Sequence, residues 1–207
     1  MHWSHLSGVL KLVGVLVCGV LVGASASAAL AGAQGSSATA VGSQRLLDEL
    51  VAKDAIREQI YNYARGLDRM DKELAYGVWH PDGTASYIGT YEGSGAGFVD
   101  WVWPRHEPLV AHSHQITNVL IKVDGDTAVS ESYVMASLQA RPSENRATTR
   151  LVRSRYADTW SKRDGRWAID RRVAITDFMT TEEATGPNEP TEGRRDRTDP
   201  SYQAYPY

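Results

Sequence analysis

Apolar residues change their spacing partway along this chain of 207 residues. Between Gln44 and Leu67, the residues Ile56, Ile60, Tyr63 and Leu67 recur every three or four positions, which places them on one face of a helix. From the segment "ASYIGTYEG" onward the apolar residues alternate instead, as they do in strands. Helices followed by a run of antiparallel strands predict an α+β domain, with the helices packed on one face of a curved sheet.

Turn signals divide the rest of this domain into elements. Asp71 is a candidate N-cap for a second helix, and Pro104 is expected to close a third. The strand "HQITNVLIKV" meets the turn "DGD", and the chain returns as the strand "TAVSESYVMASLQA". A polar loop, "RPSENRATT", then precedes two further strands joined by the turn "RDGR". These signals predict a meander of four strands.

The two ends of the chain have a different composition from its middle. Residues 1–31 combine Lys11, an apolar run of about a dozen residues and a stretch of small residues, which is the pattern of a secretory signal peptide. The run is short for a membrane span of about 20 residues, so we expect an exported protein with no stable span after cleavage; an uncleaved anchor is the alternative. Residues 32–44 are a predicted linker and residues 45–181 the folded domain. Residues 182–207 hold four of the eight prolines and no aliphatic residue larger than alanine, which predicts a mostly disordered tail.

Composition also narrows the classes of function. Cys18 is the only cysteine and lies inside the predicted signal peptide, so the mature protein is expected to lack disulfides and thiol chemistry. The formal net charge is −3 and no long basic run occurs, so no nucleic-acid partner is expected. His112 and His114 form an H-x-H pair without a third ligand at a convincing spacing, so no metal site is predicted. No cofactor motif is found, and no cofactor is expected.

Several motifs in series resemble a known family. The segments are "AKDAIREQIYNYARGLDRMD", "WHPDGTASY", "HQITNVLIKVDGDTAVSESYV" and "RYADTWSKRDGRWAIDRRV". In this order they resemble the SnoaL-like family, part of the nuclear-transport-factor-two-like superfamily of cone-shaped α+β domains. The resemblance implies helices on a curved mixed or antiparallel sheet that encloses a pocket. Members include dehydratases, a dehydrochlorinase, polyketide cyclases, an isomerase and non-catalytic binding domains, so the fold does not fix the reaction.

The lyase branch of that family is the most similar in its local motifs. Its members use an Asp at the end of the first helix and a His just before an Asn-containing strand, which match Asp68 and His114 here. The dehydratases place a Tyr five residues before that Asp, which matches Tyr63, whereas the dehydrochlorinase has a Lys there. An Arg five residues after the Trp of the "DGxW" turn matches Arg172. A small residue near Ala85, where the dehydrochlorinase has a Trp, implies a roomier cavity.

These four residues have the chemistry that an elimination requires. Imidazole titrates near neutral pH, so His114 is the natural base to remove a proton from carbon. Asp68 lies at a helix C-terminus, where the macrodipole disfavours a carboxylate, and an imidazole partner would explain it. Tyr63 either binds or protonates the leaving oxygen or is an ordinary core tyrosine. Arg172 either faces inward to bind a negative oxygen or forms a surface salt bridge.

Further polar and aromatic residues are weaker candidates for the site. His112 has the strand parity of His114 but stands at the frayed start of the strand, while His80 and His106 lie beside prolines and are expected to be solvated. Asn118 also shares the parity of His114, so it either lines the cavity or is a structural buried amide. The candidate aromatic residues of the cavity wall are Tyr87, Tyr91, Trp101, Trp103, Tyr133 and Phe178.

The sequence therefore predicts a cofactor-independent, dehydratase-like lyase that acts on a hydrophobic cyclic small molecule. One alternative is a polyketide cyclase or isomerase that uses the same His–Asp pair for enolate chemistry. Another is a domain that binds a small molecule without turnover. By resemblance to the lyases we also expect a homo-oligomer, a trimer or a dimer.

Overall fold

The computed structural model describes residues 40–185 and 191–205, which fall in two units. The described part of the first unit, residues 40–50, is helical, including residues 40–44 of the predicted linker. The predicted signal peptide and the rest of that linker lie outside the described residues. Within the described ranges, no helix is long and apolar enough to cross a membrane.

The second unit begins at Val51 and contains four helices in its described residues. The first, α1, covers residues 51–68 and carries the predicted apolar stripe. The others are short and are α2 (Lys72–Gly77), α3 (Gly95–His106) and α4 (Ser201–Ala204). Asp71 caps α2 as predicted, because its side chain accepts a hydrogen bond from the N–H of Leu74 at 3.2 Å.

The C-terminal end of α1 is closed by two backbone hydrogen bonds. Met70 has a φ of 49°, and its N–H donates to the carbonyl of Leu67 at 3.1 Å. The N–H of Asp71 donates to the carbonyl of Gly66 at 2.8 Å. This pair is the Schellman pattern of helix ends. A Cβ on Gly66 would lie 2.8 Å from the backbone N of Ala75, so glycine permits the close approach of α1 to α2. The result is a fixed position for Asp68, in the last turn of α1.

Helix α3 runs two residues beyond Pro104, where the sequence predicted its end. A proline removes the one hydrogen bond that its own N–H would have made, and near a C-terminus the helix tolerates that loss. The N–H of Glu107 still donates to the carbonyl of Trp103 at 3.0 Å. The extension places His106 on the same helix face as Phe98 and Val102, four residues apart along one buried stripe.

Six strands form one sheet in the second unit, in the order β2-β1-β6-β5-β4-β3. Strands β3 to β6 are the predicted antiparallel meander, and β1 pairs with β6 in parallel. The predicted polar loop is largely strand, because Ser143 pairs with Arg146. Asp164 and Gly165 both have positive φ in the β5–β6 turn, as a two-residue hairpin requires. The bounds are β1 (Trp79–Tyr87), β2 (Tyr91–Ser94), β3 (Ala111–Asp124), β4 (Thr127–Ser143), β5 (Arg146–Arg163) and β6 (Arg166–Thr185).

The helices pack on one face of this sheet, and the α+β prediction is confirmed. The stripe of α1 meets the inner face of the strands in a single hydrophobic core. Its fully buried members include Ile56, Ile60, Trp160 and Ile169. The large side chains of this core hold α1, and with it Asp68, against the sheet.

The C-terminal segment, residues 191–205, differs from the predicted disordered tail. The Tyr202 hydroxyl donates to Asp71 at 2.9 Å, and buried Asp199 forms an ion pair with Arg69 at 3.4 Å. Arg195 donates to the carbonyls of His106 and Leu109 at the end of α3. Composition could not show this, because the segment is held by polar groups and not by the aliphatic residues that predict a folded chain. Strand β6 also extends to Thr185, beyond the predicted domain limit of 181.

Candidate functional site

His114 and Asp68 are in direct contact. The Nδ1 atom of His114 lies 2.6 Å from Oδ1 of Asp68, and the backbone N–H of His114 donates to Oδ2 at 2.8 Å. Both side chains are mostly buried. With Nδ1–H directed at a carboxylate, the imidazole keeps its lone pair on Nε2, which is the state a general base requires. The contact therefore fixes both the orientation and the tautomer of His114.

An inner cavity of about 140 Å³ lies between α1, α3 and the sheet. His114 lines both this cavity and a more open surface groove, whereas Asp68 lines only the groove. The polar residues around the cavity are Tyr63, Tyr87, His106, His114, Ser154, Tyr156 and Thr176. Most of the remaining wall is aliphatic or aromatic. Such a cavity suits a hydrophobic ring that carries one or two oxygen atoms.

Two tyrosine hydroxyls meet in the wall of the inner cavity. The hydroxyl oxygens of Tyr63 and Tyr87 are 2.6 Å apart, and the ring of Tyr87 stacks on Phe98 with centroids 3.6 Å apart. Burial raises the pKa of Tyr63, Tyr87 and Tyr156 above the ordinary value. These phenols therefore stay protonated and act as hydrogen-bond donors. Tyr87 was predicted as a wall residue, and the structure places it in that wall.

Arg172 does not line the inner cavity, so the prediction that it binds a substrate oxygen directly is corrected. Its guanidinium is fully buried and donates to both oxygens of Asp158, at 2.8 and 2.7 Å. It also lies over the rings of Tyr63 and Tyr156, with its Cζ 4.5 and 4.0 Å from the centroids. Burial alone would lower the pKa of Arg172, but the Asp158 carboxylate outweighs burial and the pKa is raised. Arg172 is thus a buried positive charge packed against the rings of these tyrosines.

His106, which the sequence predicted to be solvated, is buried and lines the inner cavity. Its ring centroid lies 4.7 Å from that of His112 and 6.3 Å from that of His114. Burial, with smaller contributions from the neighbouring His112, His114 and Arg195, lowers the pKa of His106 to about 3. It is therefore a neutral imidazole within the site. Its spacing of four from Val102 is the signal that could have revealed it.

His112 supports the end of α1. It is buried and not at a frayed strand end, contrary to the prediction. Its Nε2–H donates to the carbonyl of Leu67 at 2.5 Å, next to Asp68. Burial lowers its pKa to about 4, although this hydrogen bond raises it. His80 was also predicted to be solvated but is buried. Its Nε2 lies 3.0 Å from the carbonyl oxygen of Ser161. His112 positions Asp68, and His80 is structural.

Three predicted wall residues lie outside the inner cavity. Asn118 is exposed, with a φ of 49°, and the pairing of β3 with β4 shifts between Thr117 and Leu120. This bulge breaks the alternation from which its orientation was inferred. Tyr133 is 40% exposed on the face opposite buried Val134. Phe178 is 60% exposed, beyond a register shift between β5 and β6.

A second, outer cavity of about 380 Å³ adjoins the first. The side chains of Val102, His106 and Leu138 belong to the walls of both. Trp101, a predicted wall residue, lines the outer cavity, whereas Tyr91 packs against Phe98 and Trp101. Trp103 faces Lys72. Within the described residues, no group of three His, Cys, Asp or Glu residues is placed to hold a metal ion.

Comparison with known proteins agrees with this fold. A model of the SnoaL-like domain matches residues 48–173. A gamma-hexachlorocyclohexane dehydrochlorinase from Sphingobium indicum is 22% identical over 140 residues, which are 65% of this chain and 86% of that protein. The crystal structure of a type 2 hexachlorocyclohexane dehydrochlorinase superposes with a TM-score of 0.59 at 20% identity, covering 70% of this chain and 97% of that one. A candidate scytalone dehydratase from Novosphingobium aromaticivorans gives a TM-score of 0.56 at 24% identity, covering 69% and 97%.

Proposed function

The chain belongs to the SnoaL-like domain family, and from this premise we propose that it is a cofactor-independent, dehydratase-like lyase. The single observation that carries the proposal is the contact of His114 Nδ1 with Asp68 Oδ1 at 2.6 Å, with His114 in the wall of an apolar cavity. The relatives' printed activities, a dehydrochlorinase and a candidate dehydratase, are both eliminations. The substrate class is a hydrophobic cyclic molecule that bears a hydroxyl group.

In the proposed reaction, His114 Nε2 removes a proton from a carbon beside a carbonyl group. The C–H bond and the C–O bond to the neighbouring hydroxyl break, a C=C bond forms, and water is the second product. The imidazolium, stabilised by Asp68, returns its proton to the departing hydroxide. The protein thus ends in its starting protonation state, and one group serves as base and then as acid.

The tyrosines support this division of roles. Because burial raises their pKa, Tyr63 and Tyr87 are poor donors of a whole proton but good donors of a hydrogen bond. A hydrogen bond from either phenol to a substrate oxygen stabilises negative charge in a site that excludes water. The buried Arg172 charge behind Tyr63 strengthens that donor. His114 is left as the group that moves the proton.

The Tyr63–Tyr87 pair also favours a dehydratase over a dehalogenating enzyme. The leaving group of a dehydration is an oxygen, which accepts hydrogen bonds from phenols strongly. The dehydrochlorinase, by resemblance, has a lysine where this chain has Tyr63. A neutral donor at this position favours a hydroxyl leaving group over chloride.

The proposal is tested by incubating the purified protein with a panel of cyclic β-hydroxy ketones. Dehydration yields a conjugated enone, measured by ultraviolet absorbance and by a mass loss of one water. The matched control is Tyr133→Phe, which alters a hydroxyl on the opposite face of β4 and should turn over as the wild type does.

Other outcomes would overturn the lyase assignment. A product of unchanged mass would indicate an isomerase or cyclase that uses the same pair for enolate chemistry. Tryptophan fluorescence measures binding of each member of the panel. Saturable binding without turnover of any member would indicate a binding domain.

Export and self-association complete the proposal. Export is supported by the signal-peptide pattern of residues 1–31, and N-terminal sequencing of protein from the culture medium tests it. Self-association is supported by exposed apolar residues on the outer face of the sheet, such as Val129 and Tyr133. Light scattering coupled to size exclusion measures it.

A further inference from the structure

The outer cavity has the composition of a binding site for an amphipathic molecule. Its apolar wall consists of Trp101, Val102, Leu109, Leu138 and Ala140. Its charged lining residues are Arg105 and Arg150, and no carboxylate lines it. A hydrocarbon chain would contact the apolar wall, and the two guanidinium groups would attract a negative charge.

Arg105 is held in place by an aromatic ring and not by an acid. Its Cζ lies 3.8 Å from the centroid of Trp101, and its Nη1 donates to the carbonyl of Trp101 at 2.5 Å. No ion pair involves Arg105 in the part of the chain that the structure describes. A guanidinium has five N–H donors, so several of them remain for a ligand. The group is therefore ordered but not neutralised, which lowers the entropic cost of binding an anion.

Arg150 differs from three of the other four arginines of β5. Arg146, Arg155 and Arg163 each form an ion pair with a carboxylate. Arg150 forms none among the described residues, and it lies between Leu138 and Thr181 on the cavity side of the sheet. Glu183, two residues from the Thr181 that pairs with Arg150, is bound by Arg146 at 2.7 Å. Arg150 thus keeps its charge available to the cavity.

The outer cavity also shares a wall with the inner one. Val102, His106 and Leu138 contribute to both walls, so the two spaces are separated by side chains alone. A ring in the inner cavity beside His114 could extend a side chain past Leu138 toward Arg150. The inner cavity, at about 140 Å³, has room for one ring, which leaves the rest of a larger substrate to the outer one.

We propose that the outer cavity is a subsite for a carboxylate, carried on a short chain by the hydrophobic ring that reacts at His114. Arg105 and Arg150 bind the carboxylate from two sides, and Trp101 covers the chain. The substrate class is accordingly a ring-hydroxylated alicyclic or aromatic carboxylic acid. This inference rests on the proposed function for the reacting end, but its binding test requires no turnover.

The test uses 4-phenylbutanoate and its neutral amide as probes of equal size. Binding to the full chain is measured by quenching of tryptophan fluorescence, since Trp101 lines the subsite. The acid is expected to bind about tenfold more tightly than the amide, the effect of one charge-assisted hydrogen bond. Arg105→Gln and Arg150→Gln should each bring the two affinities together. Higher salt should reduce the preference.

The matched control is Arg153→Gln, three residues from Arg150 on the same strand and of opposite parity. It removes the same charge and should keep the preference for the acid. Equal affinity for acid and amide in the wild type, or an equal loss in Arg153→Gln, would overturn the subsite. A preference for the acid in a protein that shows no dehydration would leave the subsite intact and refute only the lyase proposal.

Discussion

Asp68 holds His114 with both of its carboxylate oxygens, one on the imidazole Nδ1 at 2.6 Å and one on the backbone N–H at 2.8 Å. A carboxylate bound twice to the same residue cannot rotate without breaking both contacts. The pair connects the last turn of α1 to the start of β3.

Replacement of Asp68 by Asn tests its electrostatic role while preserving its shape. The amide can still accept the backbone hydrogen bond, but it cannot stabilise an imidazolium or enforce the Nδ1–H tautomer. We expect kcat to fall by about 10²-fold to 10⁴-fold with KM little changed. Nitrogen chemical shifts of His114 should show a mixture of tautomers. Wild-type turnover in this variant would refute the orienting role.

The buried pair of Arg172 and Asp158 should show strong coupling in stability. Arg172→Met or Asp158→Leu alone leaves an unpaired buried charge, which costs about 3–5 kcal/mol of unfolding free energy. The double variant removes both charges and should recover most of that loss. Urea denaturation of the four proteins measures the cycle. Additive losses in the double variant would contradict the pairing.

The stability of the fold should depend on pH through His106 and His112. Burial lowers their pKa values to about 3 and about 4, below the ordinary value near 6.5, so the unfolded chain takes up protons first as the pH falls. The unfolding free energy is therefore highest above pH 6.5 and decreases toward pH 4, by about 1.4 kcal/mol per pH unit for each histidine. Urea denaturation at several pH values measures this slope.

The control for that slope is His106→Gln, which removes one of the two titrating groups. Its unfolding free energy should change with pH about half as steeply as that of the wild type between pH 6.5 and 4. The same slope in both proteins would show that His106 is already accessible to protons in the folded state.

Asp71 joins the C-terminal segment to the cap of α2. Its carboxylate accepts from Leu74 N–H at 3.2 Å and from the Tyr202 hydroxyl at 2.9 Å. Asp71→Ala should cost about 2 kcal/mol of unfolding free energy and Tyr202→Phe about 1 kcal/mol. Glu73→Gln, which alters an exposed acid beside them, should have little effect. If Tyr202→Phe is as stable as the wild type, the segment does not dock in solution.

Regular periods predicted the fold, and the resemblance to the lyases predicted the pairing of Asp68 with His114. The apolar stripe of α1 fixes the face on which Tyr63 lies, and strand alternation gives the parity of His114. Motifs in series then matched the family. These signals are local and need no knowledge of side-chain packing.

What the sequence could not show depends on departures from those periods. The bulge at Asn118 reverses the parity on which its prediction rested, and helix α3 continues through Pro104 and buries His106. Arg172 faces inward, which is one of the two alternatives that the sequence left open, and its partner Asp158 lies on the neighbouring strand, a pairing that is not visible in the spacing. The C-terminal segment docks through polar contacts that composition does not record.

The central claim is that His114 moves the proton, and His114→Ala tests it most directly. Turnover of a cyclic β-hydroxy ketone and affinity for it are measured side by side, with tryptophan fluorescence for the affinity. The account predicts that kcat falls by about 10²-fold to 10⁴-fold while affinity is little changed. Equal turnover by the wild type and His114→Ala would contradict it.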